Sequence, residues 1–483
     1  MVNLCLTLAE CSVATLVEKI TQYNGQVPYV EVRLDYLAKM ELPTIPSHKE
    51  TEFIATCRPQ REGGLYEGSE KDRLNFLARA AHAGFSWLDL EHDVQEVPDL
   101  PSVTKVVRSY HCFNSFCPDL NSRFHELEQM GGDLIKLAIS VNQTVELKVL
   151  LKWMESLSSE TPFVILGMGE LGQASRFLGG LIGNFWTYVA ETEDSNVASG
   201  QFTLQQAEEC YGLSERECPP NIYGVLGNPV KHSLSPLIHN TLFRHYQLNN
   251  IYFPLALDRI NPWFEYIDQS QLSFKGFSVT LPFKSDVFKY LETKNSPVDA
   301  LNTLVKIGSN WIGLNTDYHG FLYPLKLHFP LEGKKAVVLG NGGVAHTVVQ
   351  ALKDEGVEVV VVGRNSNKVA FFAKQYNCRW ALFSDLPIRA DLCINTTPVG
   401  QHPNVDESPL REDELEFELI YDLIYRPRQT HLLKLAKHKG LQTISGVDMF
   451  VEQAALQFIA WTGIDPERNI IREMVSSISD FQE

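Results

Sequence analysis

The sequence predicts an α/β protein: an N-terminal (β/α)8 barrel followed by a two-lobed unit that ends in a dinucleotide-binding sheet. Three observations predict it. Eight short β-rich runs alternate with longer, mostly amphipathic stretches over roughly the first 200 residues, the count of a small barrel. A polar segment, TLQQAEECYGLSERECPP (203–220), then ends in two prolines and interrupts the pattern. Beyond Gly333, strand, glycine-rich turn, helix and second strand follow within about 30 residues, the signature of a dinucleotide-binding βαβ unit. At roughly 150 residues per domain, a chain of 483 residues has room for about three such parts.

In chain order, the first eight candidate strands are NLCLTL (3–8), YVEVRLD (29–35), EFIATC (52–57), WLDLE (87–91), VVRSYH (106–111), LIKLAI (134–139), FVILGM (163–168) and WTYVA (186–190). Stretches such as EKDRLNFLARAAHAG and TVELKVLLKWMESL carry apolar residues at helical spacing between them. The same alternation also fits an open doubly wound sheet, so pattern alone leaves both. Residues 1–210 form this first domain and 211–220 a linker. IYGVLG, IYFPLAL, GFSVTLP, ALNTLV and WIGLNT then mark a second domain over 221–330. Residues 331–448 hold the nucleotide-binding unit, with LCINTTP and LIYDLIY as its later strands. The helical tail from Met449 to Glu483 is expected to fold back onto the second domain.

Composition excludes several classes. Hydrophobic residues at 44% and charged residues at 21% are ordinary globular values, not those of a disordered or fibrous chain. A net charge of −17 disfavours nucleic acid and anionic membrane as partners, while leaving room for basic pockets that take small anions. The nine cysteines are odd in number and lack a C-x-x-C pair, so neither a disulfide framework nor a zinc ribbon is expected. Cys112 and Cys117 lie near a candidate site but read as small buried hydrophobes. No apolar run approaches the roughly 18 residues of a membrane span. MVNLCLTLAE lacks a basic stretch followed by an apolar one, so a cytoplasmic protein is expected. No His/Cys/Asp cluster has ligand spacing, and no metal is expected.

The turn Gly340-Asn341-Gly342-Gly343-Val344-Ala345 lies between strand and helix. Glycines there permit a tight turn and let backbone N–H groups approach a pyrophosphate at the helix N-terminus. After the second strand, NAD-binding units usually place an acidic residue for the ribose hydroxyls. This chain has Gly363-Arg364-Asn365 with Lys368 one turn on, a basic set that suits a 2′-phosphate and hence NADP. The alternative for Arg364 is a solvated loop residue.

Upstream, GNPVKHSLSPLIH holds Ser233 and Ser235 before a helix, a pair that suits carboxylate binding or simple capping. GFSVTLPFK supplies Thr280 and Lys284, ALNTL supplies Asn302 and GLNTD supplies Asp317. By themselves Lys284 and Asp317 could equally form a surface ion pair. As a set, these strings resemble shikimate dehydrogenase over residues 221–483. The resemblance implies that Ser233 and Ser235 bind the substrate carboxylate and that Lys284 and Asp317 perform acid–base chemistry at the ketone being reduced. It also implies substrate contacts from Thr280, Asn302, Tyr425 and Gln453.

In the first domain, Glu31, Arg33 and Asp35 alternate along one strand and are expected on one face. Such charges are costly on a strand buried on both sides unless they are paired or line a polar site. Arg58 follows EFIATC, Glu62 precedes Gly63-Gly64, His111 ends its strand and Arg176 follows MGELGQAS. Lys136 sits within LIKLAI among apolar residues. It either snorkels to the barrel mouth or is a desolvated amine poised for Schiff-base chemistry, eased by nearby arginines.

EVRLD, CRPQREGG, the strand-end His111, LIKLAI and MGELGQASR together resemble type I 3-dehydroquinate dehydratase over residues 1–210. The resemblance implies that Lys136 forms the Schiff base, His111 is the general acid–base and Glu62 orients it. Glu31, Arg33, Arg58, Arg176 and Gln201 then fall on substrate-binding positions, Asp35 joins them on its strand, and Arg176 takes the carboxylate. One departure stands out: a Ser-Ala-Pro-Gly-Gln loop of that family is here Val197-Ala198-Ser199-Gly200-Gln201, with Ser199 as the substitute hydroxyl. The two resemblances imply a bifunctional enzyme that dehydrates 3-dehydroquinate and reduces the product with NADPH. A quinate oxidoreductase using NAD, or a fusion with one inert half, are the alternatives.

Overall fold

The computed structural model describes residues 2–113, 115–195, 197–214, 219–291, 293–295 and 300–477; part of the expected linker and the end of the tail lie outside them. The chain divides into two compact units, Met1–Phe274 and Lys275–Glu483.

The first unit opens with β1 (Leu4–Leu8), α1 (Val13–Tyr23), β2 (Tyr29–Arg33), β3 (Glu52–Thr56) and α2 (Glu70–His82). It continues through β4 (Trp87–Glu91), β5 (Lys105–Cys112), α3 (Leu120–Gln129), β6 (Leu134–Ser140), α4 (Thr144–Ser156), β7 (Phe163–Met168), α5 (Gln173–Ile182) and β8 (Thr187–Ala190). The strands pair in parallel in the order β7-β6-β5-β4-β3-β2-β1-β8, so the last strand returns to the first. Between β7 and β8 the Asn184 side chain stands in for a strand: Ile165 N donates to its Oδ1 at 2.9 Å and its Nδ2 donates to Ile165 O at 2.8 Å. This is a near-closed barrel rather than an open sheet. Trp87 and Trp186 meet edge to face at 5.6 Å, with Tyr29 against Trp186, and fill the barrel beneath the charged layer.

Beyond the barrel, the same unit holds β9 (Asn221–Gly227), α6 (Ser235–His245), β10 (Asn250–Ala256) and α7 (Asn261–Ile267). β9 and β10 pair in parallel along their whole length.

The second unit begins with β11 (Phe274–Val279), β12 (Thr293–Asn295), β13 (Thr303–Ile307), β14 (Asn310–Leu314) and α8 (Thr316–His328). β13 runs antiparallel to both β11 and β14. The nucleotide-type sheet follows as β15 (Lys335–Leu339), α9 (Gly343–Asp354), β16 (Glu358–Gly363), α10 (Ser366–Gln375), β17 (Arg379–Leu382), β18 (Leu392–Asn395), β19 (Leu419–Asp422), α11 (His431–His438) and β20 (Gln442–Ser445). Its order, β17-β16-β15-β18-β19-β20, reverses direction between β15 and β18, where doubly wound sheets open a crevice for ligands. Runs such as Val359–Val362 are buried throughout, as parallel strands covered on both faces require. Helices α12 (Gly446–Thr462) and α13 (Arg468–Ser477) complete the unit. α12 lies against α8, and the approach is close because Gly320 has no side chain: a Cβ there would come within 2.9 Å of Gln453 Cβ. Among the described residues no helix is long and apolar enough to cross a membrane.

Candidate active sites

The barrel carries its charges at and near the C-terminal ends of its strands, where β-barrel enzymes assemble their chemistry. Lys136, only 5% exposed, points inward from the middle of β6. Its Nζ donates to Glu31 Oε1 and Asp89 Oδ2, both at 3.0 Å, and lies 4.4 Å from the centre of the Tyr188 ring. The expected arginines are close by but not its direct partners, since carboxylates occupy that position. Arg58 instead forks onto Asp89 at 2.7 and 3.1 Å and reaches Glu91 at 3.1 Å. Arg73 closes the far side of Glu91 at 2.7 Å. Buried charges survive when each faces its opposite, and this chain of six, from Glu31 to Arg73, alternates in sign. Burial pushes the Asp89 carboxyl up, but Arg58 and Lys136 overrule it and hold it well below the usual range.

His111 leaves β5 with its backbone N–H donating to Glu62 Oε2 at 3.0 Å and its ring Nδ1 3.1 Å from the same oxygen. Burial, reinforced by Arg58 and Lys136, holds the His111 imidazolium well below the ordinary pKa, so the ring is neutral and able to accept a proton. Burial raises Glu62 to about 7 against the pull of Arg58. Glu62 also faces His92, with 3.3 Å between His92 Nδ1 and Glu62 Oε1. Arg176 is 1% exposed, has no acidic partner among the described residues, and leaves its Nε unbonded. Burial lowers it to about 10. Its Nη2 reaches only the Ser199 carbonyl at 3.4 Å, and Gln201 Oε1 beside it is likewise unbonded.

Glu31, Arg33, Arg58, Glu62, His111, Lys136, Arg176 and Gln201 therefore line one cavity, walled by Phe113, Leu166, Met168, Tyr188, Val197 and Ala198. Two expectations are corrected. β2 ends at Arg33, so Asp35 is not on the strand face; it sits in a short turn, is not among the residues that line the cavity, and accepts from Arg33 Nε and Nη2 at 2.9 and 2.8 Å, orienting that guanidinium. Ser199 is exposed and is not among the residues that line the cavity; its carbonyl, rather than its hydroxyl, accepts from Arg176. Asp89 was missed, although WLDLE shows the same alternating mid-strand charge as YVEVR.

In the second unit, Lys284 Nζ meets Asp317 Oδ2 at 2.6 Å, and Asn302 Nδ2 donates to the other carboxylate oxygen at 2.8 Å. Asn302 is fixed in turn by Thr316 N, which donates to its Oδ1 at 2.8 Å, and Gln457 Nε2 donates to the Asn302 carbonyl. Thr316 and Gln457 thus join residues the sequence analysis named. Thr280 precedes the turn that carries Lys284, its carbonyl accepting from Phe283 N. Gln453 lies over Gly320, one turn from Asp317, while Tyr425 stacks on Phe450 at 4.9 Å, one turn before Gln453. Ser233 and Ser235 belong to the first unit, where the Ser233 hydroxyl accepts from Ser235 N at 3.3 Å at the start of α6.

The turn after β15 is shaped to receive a backbone-bound anion. Gly340 has φ +102°, and a Cβ there would press within 2.8 Å of Thr396 Oγ1. Side chains at Gly342 and Gly343, by contrast, would meet nothing within 4 Å, leaving the α9 N-terminus open. Val344 is exposed beside them, while Ala345 turns into the core. Asn341 reaches toward the end of β16, its Oδ1 beside Gly363. Arg364 and Lys368 are exposed there, and Asn365 Oδ1 accepts from Lys368 N at 3.1 Å as the α10 cap, so the two cations flank a capped helix start. This donor set fits a dinucleotide phosphate.

A buried amine, a neutral imidazole and an unpaired guanidinium in one barrel, ahead of a nucleotide-type sheet with its own Lys–Asp pair, define a two-site α/β enzyme. Comparison with known proteins agrees. Residues 4–217 match type I 3-dehydroquinase, 225–304 the shikimate dehydrogenase substrate binding domain, 325–412 shikimate / quinate 5-dehydrogenase and 446–475 the shikimate 5'-dehydrogenase C-terminal domain. A bifunctional 3-dehydroquinate dehydratase/shikimate dehydrogenase of Arabidopsis thaliana, described as chloroplastic, is 29% identical over 92% of this chain and 79% of its own. An NADP(+) shikimate dehydrogenase of Caldanaerobacter subterraneus is 36% identical over 53% of this chain and 96% of its own. The crystal structure of a chorismate mutase/shikimate 5-dehydrogenase fusion from Clostridium acetobutylicum is 31% identical with a TM-score of 0.50, covering 53% of this chain and 96% of its own. The chain belongs to the shikimate dehydrogenase family, with a type I 3-dehydroquinase barrel fused ahead of it, and is an enzyme of both kinds.

Proposed function

We propose that the barrel converts 3-dehydroquinate to 3-dehydroshikimate through a Schiff base on Lys136, and that the remainder of the chain reduces 3-dehydroshikimate to shikimate with NADPH. Residues 1–210 perform the first step; 221–330 with 449–483 hold the second substrate, and 331–448 hold the nucleotide. The observation that carries the reading is Arg176, a buried cation with no acidic partner among the described residues, in the cavity of a buried lysine. An isolated buried charge is expensive, and a substrate carboxylate would relieve it.

The chemistry follows from the residues present. The Lys136 amine adds to the substrate ketone and expels its oxygen as water, leaving a protonated imine. That imine withdraws electrons and acidifies the neighbouring carbon, from which neutral His111 removes a proton. The enamine then expels the β-hydroxyl, which takes the proton back from His111 and leaves as water. Hydrolysis of the imine restores Lys136. Glu62 keeps the His111 ring oriented throughout.

In the second half, bound NADPH supplies the hydride. Lys284 stabilises and protonates the oxygen that becomes negative, and Asp317 holds Lys284 and accepts from a substrate hydroxyl. Ser233 and Ser235 take the carboxylate, with Thr280, Asn302, Tyr425 and Gln453 on the hydroxyl groups. Gly340, Gly342 and Gly343 admit the pyrophosphate, and Arg364, Asn365 and Lys368 receive the 2′-phosphate. A shared chain raises the effective concentration of the intermediate.

The test is NADPH consumption with 3-dehydroquinate as the only substrate, repeated with NADH. Oxidation that depends on 3-dehydroquinate and favours NADPH is expected. Activity with 3-dehydroshikimate alone would overturn the barrel assignment, and a preference for NADH would overturn the role of Arg364.

A further inference from the structure

We propose that Phe253, which lies outside the dehydratase barrel, is a positioning residue for the dehydratase. The inference rests on the reading above that Arg176 and Gln201 hold the substrate of the barrel. Phe177 on α5 lies in the middle of a three-ring stack. Phe202 packs on it at 4.6 Å with the ring planes 6° apart, and Phe253 of β10 packs on it at 5.1 Å with the planes 2° apart. Tyr211 meets Phe177 and Phe202 edge-on. All three stacked rings are at most 2% exposed.

The two barrel rings of this stack are the chain neighbours of the two unbonded polar groups in the cavity. Arg176 precedes Phe177, and Gln201 precedes Phe202. Neither polar side chain has a strong partner of its own: Arg176 reaches a carbonyl at 3.4 Å, and Gln201 Oε1 is free. Hydrogen bonds therefore do little to fix them. Packing must do it, and the packing runs through the stack. β10 supplies the outer plate, and Phe253 lies beyond the 4–217 stretch that matches the dehydratase family.

The contact is part of a wider seam that restrains the same end of the barrel. Asp258, two residues past β10, accepts from Thr144 N at 2.7 Å and Thr144 Oγ1 at 2.6 Å. Thr144 opens α4, directly after the strand that carries Lys136. Farther along, Tyr266 donates to Glu155 at 2.7 Å and Lys148 to Glu265 at 2.6 Å. A planar stack resists sliding and tilting in ways that an aliphatic contact does not. Losing the outer ring lets α5 and the 197–202 loop shift, and small misplacements of binding groups can cost up to about 10²-fold in rate.

The full-length protein carrying Phe253→Leu tests this, with Phe253→Tyr restoring the plate and Arg176→Lys as the reference. Dehydratase kinetics are read on 3-dehydroquinate, and the reductase is read separately on 3-dehydroshikimate. Phe253→Leu is expected to raise the dehydratase KM about tenfold with kcat changed less. Phe253→Tyr is expected to recover most of the loss, and the reductase KM to stay within about twofold. A general loss of folded protein would instead lower both kcat values together and leave both KM values in place, which overturns the proposal. An unchanged dehydratase KM in Phe253→Leu, with a raised KM in Arg176→Lys, overturns the positioning role alone. An unchanged KM in Arg176→Lys overturns the underlying assignment of the carboxylate site.

Discussion

The two active sites solve the problem of holding a reactive lysine in opposite ways. Lys136 is 5% exposed and locked between Glu31 and Asp89, in a lattice that extends through Arg58 and Glu91 to Arg73. The Lys284 and Asp317 side chains are 25% and 16% exposed, with Asn302 as the main brace. The difference follows from what each site must supply. The covalent chemistry proposed at Lys136 would use only side chains, so the barrel builds the whole reaction environment from its own residues. A reductase leaves room for a nucleotide, and on the reading proposed above the open space at Gly342 and Gly343 beside an exposed Arg364 would be that room.

Three experiments would break or sharpen this contrast. The largest effect is a double dissociation. Lys136→Ala is expected to cost the dehydratase on the order of 10⁴-fold or more while the reductase keeps its rate on 3-dehydroshikimate. Lys284→Ala reverses the pattern, with a reductase loss of about 10²–10⁴-fold. Borohydride trapping in the presence of 3-dehydroquinate should label the parent protein and not the Lys136→Ala variant, and label on that variant would end the Schiff-base assignment.

Next in size is the cofactor preference. Charge-assisted hydrogen bonds contribute roughly 1.5–3 kcal/mol, so Arg364→Ala should reduce the kcat/KM preference for NADPH over NADH by about 10- to 100-fold. An unchanged ratio would mark Arg364 as a solvated surface residue.

The smallest effect is in the pH profile of the barrel. Glu62 titrates at about 7 because it is buried, whereas His111 stays neutral until well below 6.5. As pH falls through 7, Glu62 gains a proton and ceases to be the acceptor that orients His111, so kcat/KM for dehydration falls. Glu62→Gln should remove that inflection and leave only a limb below pH 6.5. An inflection near 7 that survives in Glu62→Gln belongs to another group.

The legible parts of the barrel site were those where one residue broke a local rule, whereas the Lys284–Asp317 site was legible only through the family resemblance. A lysine inside LIKLAI and alternating charges along YVEVR contradict an apolar strand, and the structure brings both into the cavity. Asp89 broke the same rule within WLDLE and was available to the same reasoning. Asp35 misled because alternation holds only while the strand lasts, and β2 stops at Arg33, whose guanidinium then claims both Asp35 oxygens. Val197, Tyr188 and Phe113 could not be read as cavity walls, since they meet only when the barrel closes.

The sequence by itself determined the alternating α/β plan, the glycine turn between strand and helix, and a lysine out of place in an apolar strand. Each is written in local periodicity or in a residue type that its surroundings would otherwise exclude, whereas the choice of a barrel, the Schiff-base role of Lys136 and the pairing of Lys284 with Asp317 were implied only by the family resemblance. Only the tertiary structure decided that Lys136 faces two carboxylates, that Arg176 lacks an acidic partner among the described residues, and that Phe253 stacks onto the barrel. Those facts depend on groups separated by up to 105 positions along the chain, as Lys136 and Glu31 are. No local pattern encodes such a meeting, because the free energy that enforces it comes from burying all the intervening strands at once.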